Sequence, residues 1–167
     1  MIFTYKELLL KYKSAYQIEK AIKNGKIYKI EKGIYSDIPS VNHLAIIMKK
    51  YPYGVFTSYS AYYYHNLTDA IPNKIYLSTN RNATTITSTK IQQVRMKDEL
   101  YDLGKIEIDY EGIKINIYDK ERLLIDLARN KNQLPYDLYK EIRLQNQTLW
   151  NQRHQMNKLM RAIDKED

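Results

Sequence analysis

The sequence predicts an α+β fold, in which an N-terminal winged helix-turn-helix leads into a larger mixed α/β domain with a helical C-terminal tail. Three observations carry this. Two short amphipathic helical patterns are separated only by Lys13 and Ser14. A basic, β-prone hairpin pattern follows at once. Beyond residue 40, strand-like segments occupy the middle and helical segments both ends, which favours segregated helices and strands over an alternating βαβ order. The expected division is residues 1–38 for the winged module and 40–167 for the second domain. Asp37-Ile38-Pro39-Ser40 forms the joint, because Pro39 blocks continuation of a strand.

Each element has a local reason. Thr4-Tyr5-Lys6-Glu7 has capping-box spacing, so a helix should start at Tyr5 and run to Tyr12, with Leu8, Leu9 and Tyr12 on one side. Ser14 opens a second helix, with Gln17 three residues on. Ala15, Ile18, Ala21 and Ile22 fall at helical spacing as its buried stripe. Asn24-Gly25 ends it, since glycine supplies a left-handed C-cap. A two-residue turn forces the helices to pack closely, as in a helix-turn-helix. Lys26–Ile30 and Ile34–Ser36 flank Glu31-Lys32-Gly33 as a β-hairpin.

In the second domain a helix over 41–50 is capped by Ser40 and broken by Pro52-Tyr53-Gly54. Val55–Thr57 is a short extended piece, and a helix begins at Ser58 or Ser60 and runs to Leu67. Strands are expected over 74–79 and 91–97, with the Thr-rich stretch 80–90 as a loop or weak strand. Glu111-Gly112 joins 105–110 to 113–118 as a hairpin. Asp119 caps a helix to Ala128, and Pro135 opens a tail of helices over 136–144 and 149–163.

Composition excludes several classes of function. The 167 residues include no cysteine, which removes disulfides, zinc fingers and thiol nucleophiles. No apolar run approaches the roughly 20 residues of a membrane helix, and Leu8-Leu9-Leu10 is too short for a secretory segment. A cytoplasmic protein without membrane contact is the expectation. The five glycines are isolated, so no phosphate loop exists, and His43, His65 and His154 form no ligand pair. Ser58 and Ser60 lack a nucleophile-elbow context. Most of the 17 tyrosines, Tyr62-Tyr63-Tyr64 included, read as core and boundary residues. Asp119, Glu121, Arg122 and Asp126 read as a cap and helical charge pairs. The enzymatic alternative is a metal-dependent nuclease built on Glu107, Asp109, Glu111 and Lys114. These acids alternate outward along a strand and sit at a turn, as a solvated face would. The expectation is therefore no catalytic residue, no metal and no cofactor.

Charge points instead to a polyanion. The net charge is +8, and residues 1–36 hold eight lysines against three glutamates (Glu7, Glu19, Glu31), a local net of +5. If the second helix buries its apolar stripe, Tyr16, Gln17, Lys20, Lys23 and Asn24 face outward. In a helix-turn-helix this helix enters the major groove, where Gln can pair with adenine and Lys with guanine or phosphate. Tyr16 can meet a phosphate or a thymine methyl. Lys29 and Lys32 would act as a wing. Lys6, Lys13 and Lys26, with Ser14 at the helix start, would hold phosphates, which position without reading sequence. Lys49, Lys50, Lys74, Arg81, Lys90 and Arg95 would either extend this surface or stand solvated. A winged module that binds a protein rather than DNA shares much of this pattern.

Four passages together resemble the AbiEi antitoxin family of bacterial type IV toxin–antitoxin and phage abortive-infection systems. They are Ser14–Gly25 continuing to Lys32-Gly33-Ile34-Tyr35; Phe56-Thr57-Ser58-Tyr59-Ser60-Ala61-Tyr62-Tyr63-Tyr64-His65-Asn66-Leu67-Thr68-Asp69; Ile71–Thr79; and Tyr118–Leu127 with its Glu121-Arg122 pair. Their order and spacing, more than any single motif, carry the resemblance, which spans residues 4 to about 140. It implies a winged helix-turn-helix followed by an α/β antitoxin domain. It also implies an autorepressor that binds inverted repeats in double-stranded DNA upstream of its own operon, and a neighbouring nucleotidyltransferase-like toxin counteracted without a stable complex.

Overall fold

A computed structural model describes residues 1–129, 135–149 and 151–152. The elements run β1 (Ile2–Thr4), α1 (Tyr5–Tyr12), α2 (Ala15–Lys23), β2 (Tyr28–Glu31), β3 (Ile34–Ser36), α3 (His43–Lys50), β4 (Val55–Phe56) and α4 (Ser58–Tyr64). They continue through β5 (Ile75–Asn80), β6 (Ile91–Met96), α5 (Asp98–Tyr101), β7 (Lys105–Tyr110), β8 (Ile113–Tyr118), α6 (Lys120–Arg129) and α7 (Tyr136–Gln145). The chain is mixed α+β with two sheets, one three-stranded in the order β1-β3-β2 and one five-stranded in the order β6-β5-β4-β8-β7. It divides into two compact units, 1–54 with 107–116, and 55–106 with the residues from Ile117 onward. The division falls after Gly54 rather than at Pro39, so α3 is grouped with the N-terminal elements.

In the first unit the cap signals are realised. The Thr4 hydroxyl accepts from Glu7 N, and Glu7 reaches back to Thr4 N at 2.7 Å. The Ser14 hydroxyl accepts from Gln17 N and starts α2. At the end of α2, Gly25 N donates to Ile22 O and Lys26 N to Ala21 O, with Gly25 at φ +66°. This paired closure needs the left-handed backbone that glycine adopts at little cost. Phe3, Leu8, Ile18, Ala21, Ile27 and Tyr35 form the core, with Tyr12 and Ile22 packed against it.

Three details differ from the sequence reading. Ala15 and Leu9 are exposed, because the buried stripe is narrower than the apolar pattern. The strand β1 was not legible in three residues; it exists by pairing antiparallel with β3, Phe3 opposite Tyr35. α3 is capped by Asn42, whose side-chain oxygen accepts from Leu44 N at 2.9 Å, and Ser40 lies two residues too early for that role.

In the second unit, β4 pairs antiparallel with β5 and parallel with β8, and β5 runs parallel to β6 without a register shift from Ile75–Ile91 to Asn80–Met96. α4 stops at Tyr64, three residues earlier than expected. Asn66 takes φ +54°, Leu67 N closes on Tyr62 O, and Leu67 itself is buried. α7 docks on the turn that follows. Glu141 accepts from the Thr68 hydroxyl and from Asp69 N, and Gln145, in the amide orientation that satisfies both ends, donates to Leu67 O and Asn66 O. The four-residue α5 was unforeseen. The helix expected over 149–163 lies for the most part outside the described residues.

Candidate nucleic-acid interface

The expected site residues all fall in the first unit. Lys6 lies on α1; Lys13 and Ser14 form the whole connection to α2; Tyr16, Gln17, Lys20 and Lys23 lie on α2; Lys26 precedes β2; Lys29 lies on β2 and Lys32 in the hairpin turn. All are exposed except Ser14, which is half-buried as the α2 cap. Ile18 and Ala21 anchor α2 inward, which turns Tyr16, Lys20 and Lys23 to the opposite side at helical spacing. Tyr16 is 70% exposed, unusual for so large a ring on a helix whose other face is packed.

The state of the lysines is informative. Among the described residues, none of Lys6, Lys13, Lys20, Lys23, Lys26, Lys29 or Lys32 lies within ion-pair distance of a carboxylate. Seven cations in one compact unit therefore stand without an ion-pair partner among the described residues. Lys11 differs, its ammonium lying over the Phe3 ring at 4.8 Å and near Tyr12. Lys13 holds φ +63° while its N–H donates to Leu9 O at 2.8 Å, so the tight turn is built on a lysine where glycine or asparagine would be unstrained.

Two of the three acids of this segment are occupied. Lys49 on α3 bonds Glu7 at 2.7 Å and Lys50 bonds Glu31 at 2.9 Å. The Lys49 ammonium and the Thr4 N–H together hold the Glu7 carboxyl far below the usual carboxylate range, at about 2. The Glu31 carboxylate raises the Lys50 ammonium above its ordinary value. Sequence reading left Lys49 and Lys50 as either an extension of the basic surface or solvated residues. Nothing in one sequence discloses that their partners lie 42 and 19 residues earlier.

Several charged groups elsewhere have structural partners. Lys114 pairs with Glu107 at 3.0 Å and Asp109 accepts from Gly112 N at 2.8 Å, so these residues support the β7–β8 hairpin. Among the described residues no three His, Asp or Glu side chains come together as a metal ligand set. His65 Nε2 donates to Tyr118 O at 2.8 Å, and burial lowers its pKa. Arg95 donates to Arg81 O, Ala83 O and the Thr85 hydroxyl, while Gln93 binds Ile86 N, Thr84 O and Thr79. Together they strap the 80–90 loop, with Arg95 exposed but held by the loop. Among the described residues no helix is long and apolar enough to cross a membrane. Compared with family models and with characterised proteins, the sequence matches neither.

Proposed function

We propose that the first unit is a winged helix-turn-helix that reads double-stranded DNA, with α2 in the major groove and the β2–β3 hairpin as the wing. The observation that carries this is the set of seven exposed lysines, none in an ion pair among the described residues, around a helix that presents Tyr16, Gln17, Lys20 and Lys23 outward. Gln17 and Lys20, near the start of α2, are the base-reading candidates, as the first turns of a recognition helix come closest to base edges. Lys6, Lys13, Lys23, Lys26, Lys29 and Lys32 hold phosphates.

The four passages that resemble AbiEi antitoxins extend the reading. On it, the protein works in the cytoplasm, represses its own operon from inverted repeats, and counteracts a nucleotidyltransferase-like toxin without stable association. It carries out no reaction of its own. Two-fold repeats call for two copies per site.

The test is a gel shift on the DNA upstream of the protein's own gene against a scrambled duplex, across a salt series, with Gln17→Ala and Lys20→Ala beside wild type. Preference for the upstream DNA, lost in both variants, is the expected result. Equal binding to both duplexes that fades steeply with salt would reduce the site to a polyanion surface and end the repressor reading.

A further inference from the structure

Resting on the DNA reading above, we propose that α3 is an acid-masking element of the same interface, with Lys49 and Lys50 as positioning residues rather than phosphate contacts. All three carboxylates in residues 1–36 lie close in sequence to candidate DNA contacts, Glu19 one turn before Lys23 on α2, and α3 reaches two of them. Glu7 follows Lys6 directly. Glu31 lies between Lys29 and Lys32 in sequence, and all three are exposed, with the β2–β3 register shifting between Lys29 and Glu31. A free carboxylate acts over about one Debye length, roughly 8–10 Å, so its charge reaches neighbouring cations and the phosphates they hold. It would oppose the approach of DNA.

α3 removes both charges at once. Its consecutive lysines point to the two acids, Lys49 to the start of α1 and Lys50 to the last residue of β2, at 2.7 and 2.9 Å. The buried residues Leu44, Ile46 and Ile47 fix the helix that carries them. Each pair is partly exposed and contributes little to stability. Its larger consequence is electrostatic, because it also fixes the end of the hairpin against α3. A lysine already bonded to a carboxylate at this distance has less to offer a phosphate, which separates Lys49 and Lys50 from the seven free lysines.

The experiment measures binding of wild type, Lys50→Met, Glu31→Gln and the double variant to the upstream duplex by fluorescence anisotropy at several salt concentrations, with thermal melts to confirm folding. Lys50→Met should weaken binding roughly three- to fivefold at low salt, the size of one exposed charge interaction, and the loss should fade at high salt. The double variant should recover wild-type affinity, since the unmasked acid is gone. A double variant as weak as Lys50→Met, with the salt slope lowered by about 0.9, would make Lys50 a phosphate contact and overturn masking. Unchanged binding by Lys50→Met would overturn it too. A wild-type protein that binds no duplex at any salt overturns the DNA reading and masking together, which distinguishes the two failures.

Discussion

Seven lysines of the first unit are exposed and form no ion pair among the described residues, whereas the buried arginine of the second unit is held on every side. Arg122 is 5% exposed. It donates to Asp126 at 2.9 Å, Leu100 O at 2.7 Å and Leu103 O at 2.9 Å, and lies over the Tyr118 ring. Tyr118, also buried, donates to Tyr101 O and bonds the Ser78 hydroxyl. Among the described residues no buried side-chain polar atom lacks a partner. Charge enclosed and satisfied specifies a fold; charge exposed and unmatched is available to a ligand. Arg122 therefore reads as scaffold, and the α2 lysines as exposed charge.

The comparison breaks most visibly at Arg122. Arg122→Leu leaves Asp126 without its cation and orphans two carbonyls, so destabilisation of about 3–5 kcal/mol is expected from a chemical-denaturation midpoint. Adding Asp126→Leu should recover part of this loss, because the burial that raises the Asp126 pKa would no longer act on a charge. A loss below 1 kcal/mol would place Arg122 among the ordinary surface charges. Gly104→Ala comes next. Gly104 holds φ +74°, and an added Cβ would meet Arg122 Cβ at 2.7 Å and the Asp119 carboxylate at 3.1 Å. Asp119 N also donates to Gly104 O at 2.7 Å, so neither backbone can give way freely. About 2 kcal/mol is expected from the strain and overlap, read from the same denaturation curve.

What the sequence disclosed follows from the same physics. Signals confined to a few residues were legible: the Thr4–Glu7 box, the Ser14 cap, the Gly25 closure, and the Glu111-Gly112 turn, whose residues take φ +53° and +79°. So were the outward α2 side chains, because a helix fixes its own azimuths. Signals that need a distant partner were not. β1 depends on β3, Arg95 depends on carbonyls of a loop, and Lys49 depends on a carboxylate 42 residues away. The outward lysines could be named from the chain, but their lack of ion pairs among the described residues needed the folded positions of the acids.

Glu7 sharpens the comparison from inside the first unit, since it is a surface acid used structurally. Its folded-state pKa is lowered from the model-peptide value of 4.5 to about 2. An acid lowered on folding stabilises the native state above its unfolded value, and this contribution is lost as pH falls through the folded value. Glu7→Gln should therefore cost about 1 kcal/mol near neutral pH, mainly from the weakened capping box. The gap between variant and wild type should narrow as pH falls from about 4.5 towards 2, the window set by the two pKa values. Thermal melts by circular dichroism at a series of pH values read this directly. A gap independent of pH would show that the carboxylate charge plays no part.

The smallest expected effect on stability belongs to the free lysines. Lys20→Ala and Lys23→Ala remove no ion pair and no packing seen among the described residues, and alanine favours the helix. Stability should change by less than about 0.5 kcal/mol in either direction. If Lys23 holds a phosphate, its removal should lower the slope of log affinity against log salt by about 0.9 and weaken all duplexes alike. If Lys20 reads a base, its removal should cost about 1–3 kcal/mol on the preferred duplex and little on a scrambled one. Melting and binding measured on the same preparations separate the two units' uses of charge. A lysine that matters for melting but not for DNA would belong with Arg122, and would shrink the surface on which the repressor reading stands.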